Sequence, residues 1–168
     1  MGKYETLEYE VLIKDKEYEI REYRDFYIVE YDNGEDFNSN KGFGVLFKYI
    51  SSDNKEDQKI SMTTPVIQEV REIHKKIAFV VPQEFGDNIP HPNNPNLKIE
   101  KFHTGIFAVI RYSGLSNESK EKNKKNKLES WLRKNGYTKR SNYMLAFYNP
   151  PFTLPMFRRN EIWIRVSK

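Results

Sequence analysis

Cysteine is absent from this sequence, which excludes disulfides, thiolate nucleophiles and thiolate-held metals. Histidine is scarce: His74, His91 and His103 stand at spacings of 17 and 12, which match no metal-ligand pattern, so no metal site is expected. No stretch approaches the ~18 consecutive apolar residues of a membrane span. The first ten residues, MGKYETLEYE, lack the apolar centre of a secretion signal. These absences lead to the expectation of a cytoplasmic chain without a membrane partner. There is no Gly-x-Ser-x-Gly elbow, and GFG at 42–44 is too short to be a phosphate-cradling loop. Nor is charge strongly one-sided: a net +4 favours anionic partners without requiring nucleic acid.

Aromatic residues are plentiful, with eleven Tyr and eleven Phe among 168 residues, enough to provide large flat contact surfaces. Short alternating runs predict strands: YEVLIKD, YEIREY, and FYIVEY at 26–31, the last ending at the Asn33-Gly34 turn signal. Asp36 is then the expected N-cap of a helix carrying Phe43, Leu46, Phe47 and Ile50 as one apolar stripe, with Gly42 and Gly44 loosening its first turns. ISMTTPVIQEV and KKIAFVVP read as strands, and FGDNIPHPNNPN as a surface loop. The pattern then repeats. IFAVIRYSG is a strand closed by a glycine turn, Ser116 caps a second helix with Leu128, Trp131 and Leu132, and Asn135-Gly136 stops it before YMLAFYN and EIWIRV. Phe26 and Phe107 stand 81 positions apart, and Asp36 and Ser116 stand 80 apart. One domain over 1–168 is therefore expected, built from two pseudo-symmetric strand–helix–strand–strand halves at about 18–82 and 98–168. Packed as a pair, they give an α+β fold, an antiparallel sheet curled towards a barrel with two helices outside.

NPPFTLPMFRRNEIW at 149–163 does not fit a simple loop. Its prolines keep it out of regular structure, yet it carries Phe152, Leu154, Met156 and Phe157, followed by Arg158 and Arg159. Such side chains either close the end of a barrel or contact a ligand. In the last strand, alternation sets Glu161, Trp163 and Arg165 on one face and Ile162, Ile164 and Val166 on the other. Glu161 has two readings. In an apolar pocket its pKa would rise and it could act as general acid or base; alternatively it pairs with Arg158, Arg159 or Arg165 to fix the strand. In SMTTPVI, Pro65 marks an edge or bulge, and Met62 serves as packing or as an adaptable contact at a pocket mouth. The run KEKNKKNK at 120–127 has no interleaved aromatic, so it reads as a solvated helix face rather than a nucleic-acid surface.

Taken together, YEIREY, KISMTTPVI, FVVPQEF, AVIRYSG and YNPPFTLPMFRRNEIW resemble the SOUL haem-binding protein family, in the right order and over nearly the whole chain. The resemblance implies a distorted antiparallel β-barrel similar to the gyrase-inhibitor-like small-molecule-binding architecture. It also implies a haem or other tetrapyrrole site in an apolar cleft between the first helix and the 150–159 loop. Phe152, Leu154, Met156 and Phe157 would form one wall, and Phe37, Phe43 and Phe47 the other. Lys48, Lys55, Arg158 and Arg159 would meet the propionates. Where one branch of the family carries a proposed axial histidine, this chain has Glu22; of three basic positions proposed in another branch, Lys48 matches, whereas the others fall on Glu56, beside Lys55, and near Thr153. The reading is thus a monomeric binding protein for a tetrapyrrole or other apolar anion, without an assigned axial ligand. Its alternatives are a small-molecule hydrolase or effector-binding domain using Glu161 in a barrel pocket, and an interaction module using the apolar loop.

Overall fold

The computed structural model describes residues 4–32, 39–72 and 75–168. Asn33, Gly34, Asp36, Phe37 and His74 lie outside the described residues. In chain order the elements are β1 (Glu5–Thr6), β2 (Glu10–Asp15), β3 (Tyr18–Tyr23), β4 (Phe26–Tyr31), α1 (Ser39–Ser51), β5 (Thr63–Thr64), β6 (Val66–Val70) and β7 (Lys75–Val80). Then come β8 (Leu97–Phe102), β9 (Gly105–Tyr112), α2 (Glu118–Lys134), β10 (Thr138–Lys139), β11 (Met144–Phe147) and β12 (Asn160–Ser167). The fold is α+β, with helices packed on antiparallel strands.

Two compact units divide the chain, the first comprising residues 1–7 and 25–102, the second residues 8–24 and 103–168. This partition differs from two sequential halves, because β3, with β2 on its outer edge, pairs with β9 of the C-terminal part. In the first unit β4 sits between β7 and β8, and β7 also pairs with β6, all antiparallel; β1 and β5 form a short parallel pair. Alternation along β4 turns Val29 and Tyr31 to one face, where they meet Leu46, Tyr49 and Ile50 of α1 and Ile77, Phe79 and Leu97 of the sheet. The helix therefore buries Leu46 and Ile50 of the expected stripe, but Phe43 and Phe47 are exposed. Gly42 and Gly44 lie inside one regular helix rather than an irregular turn. A Cβ on Gly42 would come within 2.6 Å of Ile77 and 2.8 Å of Tyr31, so glycine here permits close approach of helix and sheet. Met62 is half-buried against the same core.

In the second unit the order is β2-β3-β9-β12-β11, with β10 beside β12. Register places Ile20, Ala108, Ile110, Ile162 and Ile164 on one face, where Tyr18 also stacks on Trp131 of α2. Glu19, Arg21, Tyr23, Phe107, Glu161 and Trp163 share the opposite face. Helix α2 is capped by Asn117, one residue beyond the expected Ser116: the Asn117 side chain accepts the Lys120 amide at 2.9 Å. Ser116 is instead engaged with Tyr112 and Glu121. At the other end Gly136, at φ 75°, ends the helix where Asn135-Gly136 predicted.

Candidate functional site

Apart from Met62, which packs against the core of the first unit, the candidate site residues fall in three places, two on the surface and one in the interior of the second unit. The first lies at the C-terminal end of α1. Lys48 and Lys55 border one open cavity of about 640 Å³, together with Ser51, Ser52 and Asn93. Asp53 and Asp57 also line it, so the cavity is mixed in charge rather than purely cationic. Its shape rests on Asn54. That side chain is buried, donates to the carbonyls of Tyr49 and Gln58 at 3.1 and 2.8 Å, and accepts the Gln58 amide at 3.0 Å. Asn54→Ala strands these backbone groups and is expected to cost about 1–3 kcal/mol. Denaturant unfolding checks the cost, and a change at the Lys48 and Lys55 resonances checks the effect on the cavity. Glu56, by contrast, is committed to His91, whose ring nitrogen and backbone amide lie 2.7 and 2.8 Å from its two oxygens. Those bonds, the side-chain one foremost, hold its carboxyl below the usual range. Upstream on α1, Phe43 and Phe47 stack on each other at 6.3 Å, and Phe43 meets Phe79 edge-on at 5.3 Å.

The second place is the loop between β11 and β12. Its backbone is tied down: Thr153 donates to Pro150, Phe157 to Leu154, Arg158 to Pro155, and Gly114 of the neighbouring turn also to Pro155. At its base the Arg159 amide donates to the Asn149 side chain. On this fixed backbone Phe152 is 84% exposed, Met156 70%, Phe157 67% and Leu154 58%. The four side chains do not fill the interior; they are held out. Arg158 belongs to the loop itself, its guanidinium donating to the carbonyls of Thr153 and Pro151.

Third is Glu161, fully buried on β12. Its Oε1 accepts from Arg21 at 2.7 Å and from the Trp163 indole at 2.8 Å; its Oε2 accepts from Arg21 at 2.8 Å and Arg159 at 2.9 Å. Burial alone would raise this carboxyl, but the Arg21 bonds and charge, followed by Arg159 and Trp163, hold it below the ordinary range. Of the two readings of Glu161 the geometry is that of arginine pairing, and not of an apolar pocket that would raise the pKa. A carboxylate offers about four acceptor positions, and here all four are taken. Of the expected partners Arg159 pairs with Glu161, whereas Arg158 and Arg165 are spent on loop carbonyls. The principal partner, Arg21, was not among the sequence candidates. The signal was present in YEIREY, where alternation puts a charge at the centre of a buried strand. Arg21 also donates to Glu19 and Tyr23, at 2.7 and 2.8 Å, and lies 4.0 Å over the Tyr9 ring. Arg159 covers Tyr148 at 3.8 Å and donates to the Tyr9 hydroxyl. Burial raises the Tyr148 phenol, whose oxygen has no hydrogen-bond partner among the described residues.

With this geometry in view, the profile of the family described as SOUL heme-binding protein matches residues 4–165. The chain belongs to the SOUL family. Its relatives include Heme-binding protein 1 of Xenopus tropicalis, 26% identical over 70% of this chain and 65% of that protein. Heme-binding protein 1 of Sus scrofa is 28% identical over 71% of this chain and 66% of that protein. The SOUL chain described here thus spans about two thirds of the length of these relatives. Among solved structures, the EcmrR C-terminal domain superposes with a TM-score of 0.66 at 13% identity, covering 90% of this chain and 97% of that one, a likeness of fold. Among the described residues no group of three or more His, Asp or Glu is placed to hold a metal ion, and no helix is long and apolar enough to cross a membrane.

Proposed function

We propose that this SOUL chain binds haem or another tetrapyrrole, through apolar contact with the macrocycle and cationic contact with its carboxylates. The observation carrying the reading is the 150–157 loop, which holds four large apolar side chains in solvent on a hydrogen-bonded backbone. Exposed apolar surface of this kind marks a contact site. The naming of its relatives as heme-binding proteins supports a tetrapyrrole as the partner. Phe43 and Phe47 are a second exposed apolar surface, in the first unit, next in sequence to Lys48, which shares its cavity with Lys55. The walls of the cleft that the resemblance implies are these two exposed surfaces, and a variant of each tests it separately.

No axial ligand is assigned. Glu22 stands where one branch of the family is proposed to carry its axial histidine, and among the buried tyrosines Tyr23, Tyr49, Tyr112 and Tyr148 have phenols pushed up by burial. Iron ligation by tyrosine needs the phenolate, so the macrocycle and propionates carry the proposed affinity. Lys48→Ala with Lys55→Ala, at the α1 surface, is expected to weaken binding of protoporphyrin IX about tenfold, since each removes one exposed cation. Phe152→Ser with Phe157→Ser should weaken it further. Fluorescence titration measures both, and unchanged affinity in both pairs would sink the reading. The hydrolase alternative gains no observation, because Glu161 is ionised and saturated by protein donors.

A further inference from the structure

Helix α2 carries a feature that tetrapyrrole binding does not use. Between Glu118 and Lys134 it has seven Lys and Arg against three Glu, an excess of four, equal to the net charge of the whole chain. Leu128, Trp131 and Leu132 are buried beneath it. Along one flank runs a groove of about 480 Å³, bordered by Lys127, Lys134, Asn123, Asn126 and Ser130 of the helix and by Lys16 from the β2–β3 turn. Lys16 sits in the left-handed region at φ 56°, unusual for a lysine, and this turn conformation brings it to the groove. Tyr18, Trp131 and Asp15 complete the lining.

The charge balance of this groove decides its chemistry. Asp15 is the one carboxylate in the lining, and its Oδ2 accepts the Trp131 indole N–H at 2.8 Å. Three ammonium groups, two primary amides and a hydroxyl face it. Crowding of positive charge is felt nearby, since burial, then Lys127 and Lys120, push the Lys124 ammonium down. The aromatic surface is already used within the protein: the Trp131 ring lies parallel to Tyr18 and to Tyr137, with centroids 5.4 and 5.9 Å away. That argues against a base-stacking platform and for a compact, multiply charged anion.

We infer that the groove between α2 and the β2–β3 turn binds a phosphate-bearing anion, with Lys16, Lys127 and Lys134 as its cations and Asn123, Asn126 and Ser130 as its hydrogen-bonding groups. Lysine meets phosphate as a point charge, so affinity should fall with salt. The test titrates the full chain with inorganic pyrophosphate while following the Trp131 indole N–H, and in parallel measures binding to phosphatidylcholine vesicles carrying phosphatidic acid. Lys127→Ala/Lys134→Ala is compared with Lys122→Ala/Lys125→Ala, which removes the same charge from the helix outside the groove. Saturable pyrophosphate binding, a moving indole resonance and a loss of about tenfold in the groove variant alone support a soluble phosphate ligand. Vesicle binding with the same dependence, and none of pyrophosphate, supports a headgroup as the source. Equal losses in the two variants, no saturable binding to either probe, or tighter groove-dependent binding of single-stranded oligothymidine would overturn the inference.

Discussion

Replacing Arg21 with methionine is expected to lower the free energy of unfolding by about 3–5 kcal/mol, the usual cost of removing one partner from a buried ion pair. Arg21 and Glu161 are both fully buried and joined by two hydrogen bonds, and Arg21 also holds Glu19 and Tyr23. Without the guanidinium, Glu161 keeps only Arg159 and the Trp163 indole, and Glu19 and the Tyr23 hydroxyl lose a donor. Changing both partners, Arg21→Met with Glu161→Met, should recover much of the loss, since it removes both buried charges together. The pair also leaves a pH signature. Glu161 has a folded pKa below its unfolded value, so its contribution is present above the unfolded value and disappears as pH falls through the folded one. The single variant should therefore lose less stability on acidification than the wild type. Denaturant unfolding at neutral and acidic pH measures both effects, and a cost under about 1 kcal/mol at neutral pH would show that the pair is not the fixed point described here.

Glu30→Gln should act in the opposite direction, stabilising the protein at alkaline pH. Glu30 is buried on β4, and burial raises its pKa, partly offset by Lys76, with Glu100, Glu69 and Asp32 adding to the rise, to about 7 from an ordinary 4.5. Lys76 cannot serve it fully: its ammonium lies 3.7 Å from Glu30 but 2.8 Å from Asp32. Because the folded pKa exceeds the unfolded one, the fold favours the protonated carboxyl. Its contribution is complete below about pH 4.5 and is lost as pH rises to about 7. Above that range the charged group works against folding by at most about 3 kcal/mol, at 1.36 kcal/mol per pKa unit. An amide in its place carries no such charge. The variant should match the wild type near pH 4 and exceed it near pH 8, and equal stability across that range would remove Glu30 from the account.

What the sequence revealed follows the range of the interactions. β3, β4, β9 and β12 were legible because period-two alternation is local, and the end of α2 because Asn135-Gly136 is a local stop. β8 is hard to read: in LKIEKF the alternation of Leu97 and Ile99 breaks at Lys101, and Phe102 falls out of phase with them. Pairing of β3 with β9 sets Tyr18 opposite Ile110, two residues too far apart in sequence for any local pattern to join them. The same holds for Arg21 and Glu161, 140 residues apart, which is why Glu161 was given nearer arginines as partners. Lys48 and Lys55 were legible as neighbours because one helix end and one short loop join them. For the 150–157 loop the composition was plain, but whether its aromatics fill an interior or stand in solvent depends on the backbone bonds that hold it, and these do not appear in a residue pattern.

The most direct test of the central claim is titration of the purified chain with haemin, followed in the Soret region, with iron-free protoporphyrin IX titrated in parallel. Saturable one-to-one binding of both, at comparable affinity, is the predicted result, because the proposed contacts are made to the macrocycle and the propionates rather than to iron. Saturable binding of neither would contradict tetrapyrrole binding, and binding of haemin alone would contradict a site that does without an axial ligand.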